Sequence, residues 1–328
     1  VRLVSSPFAG LEVDEEHRPL ARLFDFNLAQ TLSSVMVLES RVRPDAMSAR
    51  SLGTERQGNA VVIGAEGLVL TIGYLVTEAE EVTLTTNKGE RVPAHVLGID
   101  QATGFGLLHA LEPLGLPALP IGDSHRVRPE AAVIAAGGGG RAHALCGHLL
   151  ARAPFSGYWE YHLDEALFVE PAHPHWSGAA LIGPSGELIG IGSLQMEQLA
   201  SDGETSLLNM FVPAELLPPI LDDLARGRPA RDPRPWLGVI SREISSRVVI
   251  DAVSPGGPAA KAELRRGDII HKIAGEPVTD LAGFYHRLWA LGPPGVVAPL
   301  TVQREQDVFD VEIRTADRVA MQRKRRLN

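Results

Sequence analysis

From residue 59 onward, apolar residues come in short runs broken by turn formers, a pattern that predicts strands rather than helices. NAVVIG and LVLTIGYLV flank Ala65-Glu66-Gly67, and EVTLTT and ERVPAHVLGI flank Asn87-Lys88-Gly89; each is a hairpin signal. FGLLHAL, AAVIAA, GHLLARA, ALFVE, GAALIG, ELIGIGSL and LLNMFVP continue the series, and so many short strands predict a β-sandwich or a pair of barrels. Before this region, Leu20, Leu23, Phe24, Leu28 and Leu32 are spaced like one face of a helix over residues 20–33, and SVMVLESRV reads as a strand. After it, PAELLPPILDDLARG reads as a helix interrupted at Pro218 and Pro219.

The stretch RGRPARDPRP, residues 226–235, is charged and Pro-rich with no apolar face, which predicts an interdomain linker. Beyond it the order changes to strand (WLGVI), strand (RVVIDAV), short helix (GPAAKAEL), strand (DIIHKI), helix (LAGFYHRLWAL) and two strands (APLTVQ, VFDVEIR). That is a small α+β module. The expected organisation is an N-terminal segment with a helix over 1–33, a β domain over 34–227, a linker over 228–234, the α+β module over 235–317 and a basic tail over 318–328.

Bulk properties narrow the classes. With 45% apolar residues in 328, the chain is globular, and 33 Gly with 24 Pro favour short strands and turns. A net charge of −9 excludes general nucleic-acid binding, and the cluster Arg323-Lys324-Arg325-Arg326 reads as a solvated tail. The single Cys146 rules out an internal disulfide or cysteine-based zinc site and reads as a core residue. No run approaches the roughly 20 apolar residues of a membrane helix, so no integral membrane segment is expected. The N-terminal residues contain no signal-peptide core; with Val1 as a true start the protein is expected in the cytoplasm.

The chemistry concentrates in HPHWSGAALIG, residues 173–183, where Ser177 is followed by small residues in a tight turn. His173, His175, His162 and His148 are the nearby candidate bases, with Glu170 and Asp164 as candidate orienting carboxylates; the simpler reading is partly exposed loop histidines. The pair His173 and His175, separated by Pro174, makes a poor chelate, so no metal and no cofactor are expected. The run Gly137–Gly140 lacks the Gly-Lys-Ser/Thr of a phosphate loop.

Trp236-Leu237-Gly238-Val239, Ser254-Pro255-Gly256-Gly257-Pro258-Ala259-Ala260 and Leu264-Arg265-Arg266-Gly267-Asp268-Ile269-Ile270 together resemble a bacterial PDZ domain of the kind that follows a serine-protease domain. The resemblance implies a peptide groove in which Trp236, Leu237, Gly238 and Val239 present converging N–H groups to a C-terminal carboxylate. Residues 30–227 then resemble the trypsin-like domain of the HtrA/Deg family, which implies a mostly β fold: a chymotrypsin-like double β-barrel followed by a small α+β PDZ domain. On that resemblance Tyr74 stands at the base position, Gly104 at the acid position and Ser177 at the nucleophile, with spacings of 30 and 73 residues that suit the family. Asp100 fits a turn aspartate preceding the acid segment.

The residues at these positions depart from the family. The base is a tyrosine and the orienting carboxylate is missing. The family's Gly-Asn-Ser-Gly-Gly turn has His175 for its first glycine, Trp176 for the asparagine and Ala179 for the last glycine. A side chain at 175 restricts φ and works against an inward-pointing oxyanion N–H. The expected function is therefore a non-catalytic pseudoprotease binding extended peptides or protein C-termini in a scaffold, adaptor or chaperone-like role. The alternatives are an active endopeptidase using Ser177 with an unconventional base, and a regulatory subunit of an active relative. The resemblance also implies a homo-oligomer, a trimer, with Phe8, Phe24 and Phe26 as candidate contacts, and a periplasmic or envelope location if a signal was removed.

Overall fold

The computed structural model describes residues 12–199 and 205–322, so Phe8 and the basic cluster at 323–326 lie outside the described residues. The described residues divide into two compact units, one built on 12–153 and 165–230, the other on 154–164 and 231–322.

The first unit is a pair of closed barrels. One contains β1 (Val35–Val42), β2 (Glu55–Gly64), β3 (Leu68–Ile72), β4 (Ala79–Thr85), β5 (Arg91–Ile99) and β6 (Phe105–Ala110), in the order β1-β2-β3-β6-β5-β4. The other contains β7 (Ala132–Ala136), β8 (Ala144–Gly157), β9 (Tyr161–Glu170), β10 (Ala180–Ile182), β11 (Leu188–Leu199) and β12 (Thr205–Pro213), in the order β10-β11-β12-β9-β8-β7. Both turn signals read from the sequence join antiparallel neighbours, β2 to β3 and β4 to β5. Leu38, Leu70, Leu84 and Leu107 are buried on the strands of the first barrel, and Val133, Leu149, Leu181 and Phe211 belong to one core cluster in the second. The fold is mostly β, as the alternation and the turns predict.

The helix expected over 20–33 is shorter. A 3₁₀ turn covers Ala21–Leu23, the chain then extends, and an α-helix runs only over Leu28–Ser33. The Asn27 side chain accepts the Gln30 N–H and starts the helix there, a capping preference stronger than the apolar spacing of Leu20 and Leu23, which stay exposed. The Phe26 ring lies over Gly186 of its own chain, closer than a side chain at 186 would tolerate. The second expected helix begins with a 3₁₀ turn, Ala214–Leu216, and becomes α over Pro218–Ala225. Both prolines fall in its first turn, where a backbone N–H has no helical partner to lose. Cys146 is half-buried rather than in the core, and burial pushes its thiol up.

In the second unit β13 (Pro235–Trp236) pairs with β20 (Ala316–Asp317), and the main sheet runs β14 (Val239–Glu243), β15 (Val248–Val253), β16 (Ile269–Ile273), β18 (Val297–Arg304), β19 (Asp307–Arg314), with β17 (Glu276–Pro277) beside β16. Helices Pro258–Lys261 and Leu281–Ala290 complete it. Leu237, Ile250, Ile270, Phe284, Leu288 and Val302 form its core. The tip of the β8–β9 hairpin, inside the β domain as read from the sequence, groups with this unit. Among the described residues, no helix is long and apolar enough to cross a membrane.

Candidate functional site

The turn carrying Ser177 is held from β2. Asn59, wholly buried, donates through Nδ2 to the carbonyls of His175 (2.9 Å) and Ser177 (3.0 Å), and its backbone N–H donates to the Ser177 carbonyl at 2.8 Å. Its Oδ1 accepts the Gly138 N–H at 2.9 Å, which ties the glycine run Gly137–Gly140 to the same support. Thr71 Oγ1 donates to the Asn59 carbonyl at 2.7 Å, so the β2–β3 ladder fixes the arrangement. Gly178 must be glycine: φ is 70°, and a Cβ there would meet the Asn59 oxygen at 2.0 Å. The sequence reading passed over Asn59, although an amide inside the apolar run NAVVIG is a signal for a buried polar anchor.

Tyr74 lies in the 3₁₀ turn Gly73–Leu75 at the end of β3. Buried Arg56 donates to its carbonyl at 2.7 Å and to that of Thr77 at 2.9 Å. The Tyr74 hydroxyl is 2.7 Å from Ser177 Oγ and donates to the Ser193 carbonyl at 2.8 Å. A phenol has one proton. With that proton on the Ser193 carbonyl, Ser177 is the donor in the Tyr74–Ser177 bond. The structure thus brings Tyr74 and Ser177 together as the resemblance implies, and adds Ser193 as a partner the sequence did not suggest.

Gly104 sits at φ 82°, donates to the Asp100 carbonyl at 2.8 Å and accepts the Gly73 N–H at 2.6 Å. The Asp100 carboxylate receives the Thr103 N–H at 2.8 Å and the Thr103 hydroxyl at 2.7 Å, closing its own turn.

Of the four candidate histidines, His148 and His175 are partly exposed as read, whereas His162 and His173 are buried. His173 is wholly buried rather than a partly exposed loop residue. Its backbone N–H donates to Asn209 Oδ1 at 2.6 Å, its Nε2 faces the His143 carbonyl at 2.9 Å, and its Nδ1 accepts the backbone N–H of His175 at 3.0 Å. These contacts require a neutral ring protonated at Nε2 and leave neither nitrogen for a metal. Burial, against the His143 carbonyl that favours the charged form, lowers its pKa to about 4. The His175 N–H, the oxyanion donor by resemblance, is therefore engaged by a side chain. Glu170 faces His148 at 3.1 Å, and Asp164 faces His162 at 3.4 Å. Among the described residues, His162, Asp164 and His286 in the second unit, and Asp123, His125 and Glu215 in the first, are grouped closely enough to hold a metal ion.

In the second unit the N–H groups of Leu237, Gly238 and Val239 converge onto the carboxylate of Glu160 at 3.0, 2.7 and 3.0 Å. Gly238 has φ 81°, and a Cβ there would press on the Trp236 ring at 3.0 Å, so the loop depends on that glycine. Trp236 itself is buried and pairs with Ala316. No local pattern marks Glu160, because its contact with the loop spans 77 residues or more.

A model of the trypsin-like peptidase domain matches residues 58–191, and a PDZ domain model matches residues 249–304. The chain is 25% identical over 272 residues to serine endoprotease DegS of Escherichia coli K12, covering 78% of this chain and 75% of that protein. It is 26% identical over 274 residues to the periplasmic pH-dependent serine endoprotease DegQ of the same organism, covering 79% of this chain and 59% of that one. Its fold is like that of the HtrA-type protease AlgW with decapeptide, at TM-score 0.53 and 19% identity over 89% of this chain and 99% of the other.

Proposed function

Because the chain is an HtrA/Deg-type protein, a trypsin-like domain followed by a PDZ domain, we propose that it is a non-catalytic member that binds extended peptides or protein C-termini as a scaffold, adaptor or chaperone. The bond between Tyr74 and Ser177 carries this reading. A serine hydroxyl attacks only when a base takes its proton, and a phenol is a weak base at neutral pH. Here the phenol is further committed as a donor to Ser193. Two other features support the reading: Gly104 offers no carboxylate to orient a base, and His173 engages the N–H at 175. The relatives named above are called serine endoproteases, and the AlgW structure contains a decapeptide. Peptide recognition is the part of that chemistry this chain's residues still suit.

The test is activity-based labelling of the full chain with a serine-directed phosphonate, alongside hydrolysis of an unfolded protein. Neither labelling nor cleavage is expected. Stoichiometric labelling that disappears in Ser177→Ala would overturn the proposal and favour an endopeptidase with an unconventional base.

A further inference from the structure

Strand β14 is the edge of the second unit's sheet, where backbone N–H groups are open to an added strand. The Ser241 N–H on that edge donates to the Tyr158 carbonyl at 2.8 Å. Two residues further on, the Glu160 carboxylate receives the N–H groups of Leu237, Gly238 and Val239. Tyr285, from the helix Leu281–Ala290, donates its hydroxyl to the Gly157 carbonyl at 2.8 Å and faces the Glu160 N–H at 3.3 Å. Residues 157–160 therefore meet an edge strand, a helix and an anion-binding loop together. An extended peptide ending in a free carboxylate makes the same set of contacts.

We propose that Glu160 is a ligand in cis: it occupies the seat of a C-terminal carboxylate in the Leu237–Val239 loop, and an outside peptide binds by displacing residues 157–160. This rests on the peptide-binding reading of the PDZ domain given above. Local chain preference does not explain the arrangement, since Glu160 holds φ at 57°, a left-handed conformation that is unfavourable for a side-chain-bearing residue. The contacts with the loop and with Tyr285 must offset that cost. Desolvation pushes the Glu160 carboxyl up to about 7, against the pull of the three N–H groups and Arg318. A tethered ligand acts at an effective concentration of millimolar order, so it weakens the apparent affinity of a peptide without altering its contacts.

The test uses the full chain as wild type, Glu160→Ala and Glu160→Gln. The probes are fluorescein-labelled decapeptides ending in Val, Leu or Phe, each as free acid and as C-terminal amide. Free-acid peptides should bind Glu160→Ala about tenfold or more tightly than wild type, with Glu160→Gln between them and the amides weak throughout. Hydrogen exchange at Leu237, Gly238 and Val239 should be faster in both variants without peptide. Equal free-acid affinity in wild type and variants would overturn the proposal while leaving peptide binding intact. Faster exchange with no peptide bound by any form would instead make Glu160 a structural clamp, and would remove the peptide-binding reading along with the competition. Should Glu160→Ala fail to fold, the same comparisons are made with Glu160→Gln, which keeps the shape and loses the charge.

Discussion

The backbone N–H of His175 donates to Nδ1 of the wholly buried His173 at 3.0 Å. Restoring a triad around Ser177 would leave this bond in place. Tyr74→His with Gly104→Asp is therefore expected to give no measurable hydrolysis of an unfolded protein. His175→Gly alone should not help, because the N–H stays with His173. Adding both His173→Leu and His175→Gly should matter most, since one oxyanion donor is typically worth about 10²–10³ in kcat. Rates are compared with Ser177→Ala in each background. If the double repair already cleaves as fast as the fourfold variant, the turn was competent.

Gly104→Asp carries its own penalty, because φ at 104 is 82°. It should lower stability by roughly 1–2 kcal/mol even where the new carboxylate finds a partner. Urea unfolding of the single variant measures this, and an unchanged midpoint would mean the backbone relaxes there.

Asn59→Ala should be the most damaging single change near Ser177. It removes the amide partner of the His175 carbonyl and of the Gly138 N–H and one of two donors to the Ser177 carbonyl, which keeps the backbone N–H of residue 59. A loss of about 3 kcal/mol is expected. A loss under about 1 kcal/mol would show that water replaces the amide.

Tyr74→Phe should destabilise by about 1–3 kcal/mol, since it leaves the Ser193 carbonyl without its hydroxyl donor and removes the acceptor of Ser177. Ser177→Ala should cost less, and the double variant should be non-additive. Strict additivity in the unfolding cycle would mean the two hydroxyls are not coupled.

The two units should respond to acid in opposite directions. His173 is held at about 4, below the ordinary 6.5, so its unit is stabilised above pH 6.5 and loses that stability as pH falls toward 4. The rings of His143 and His175 face it and disfavour its charge, against the His143 carbonyl. Glu160 is held at about 7, above the ordinary 4.5, so its unit gains stability as pH falls from 7 to 4.5 and lacks it above 7. Facing Glu160 are Arg318, which opposes the shift, and Tyr285, whose phenol burial keeps protonated. Each gap is worth about 3 kcal/mol. Hydrogen exchange read separately in each unit from pH 7 to 5 checks this, with His173→Gln and Glu160→Gln flattening their own unit's slope. Parallel slopes unaffected by either variant would refute it.

Local chemistry was enough to read the strand series and the hairpins at Gly67 and Gly89, because alternation and left-handed turns are written in neighbouring residues, whereas the loop at Gly238 followed from the resemblance. The family resemblance carried Tyr74, Gly104 and Ser177 to their positions, and also exposed the missing base and carboxylate. The helix over 20–33 was misread because periodicity does not register that Asn27 caps the chain midway. What only the tertiary structure decided are the contacts between distant segments. Asn59 reaches His175 across 116 residues, Tyr74 reaches Ser193 across 119, and Glu160 reaches Gly238 across 78. His173 shows the same limit at short range: two residues separate it from His175, yet its protonation state follows from burial beneath the His143 carbonyl. Hydrogen-bond partners and desolvation are set by where the folded chain brings its segments together, and a residue's type states only what it is able to donate or accept.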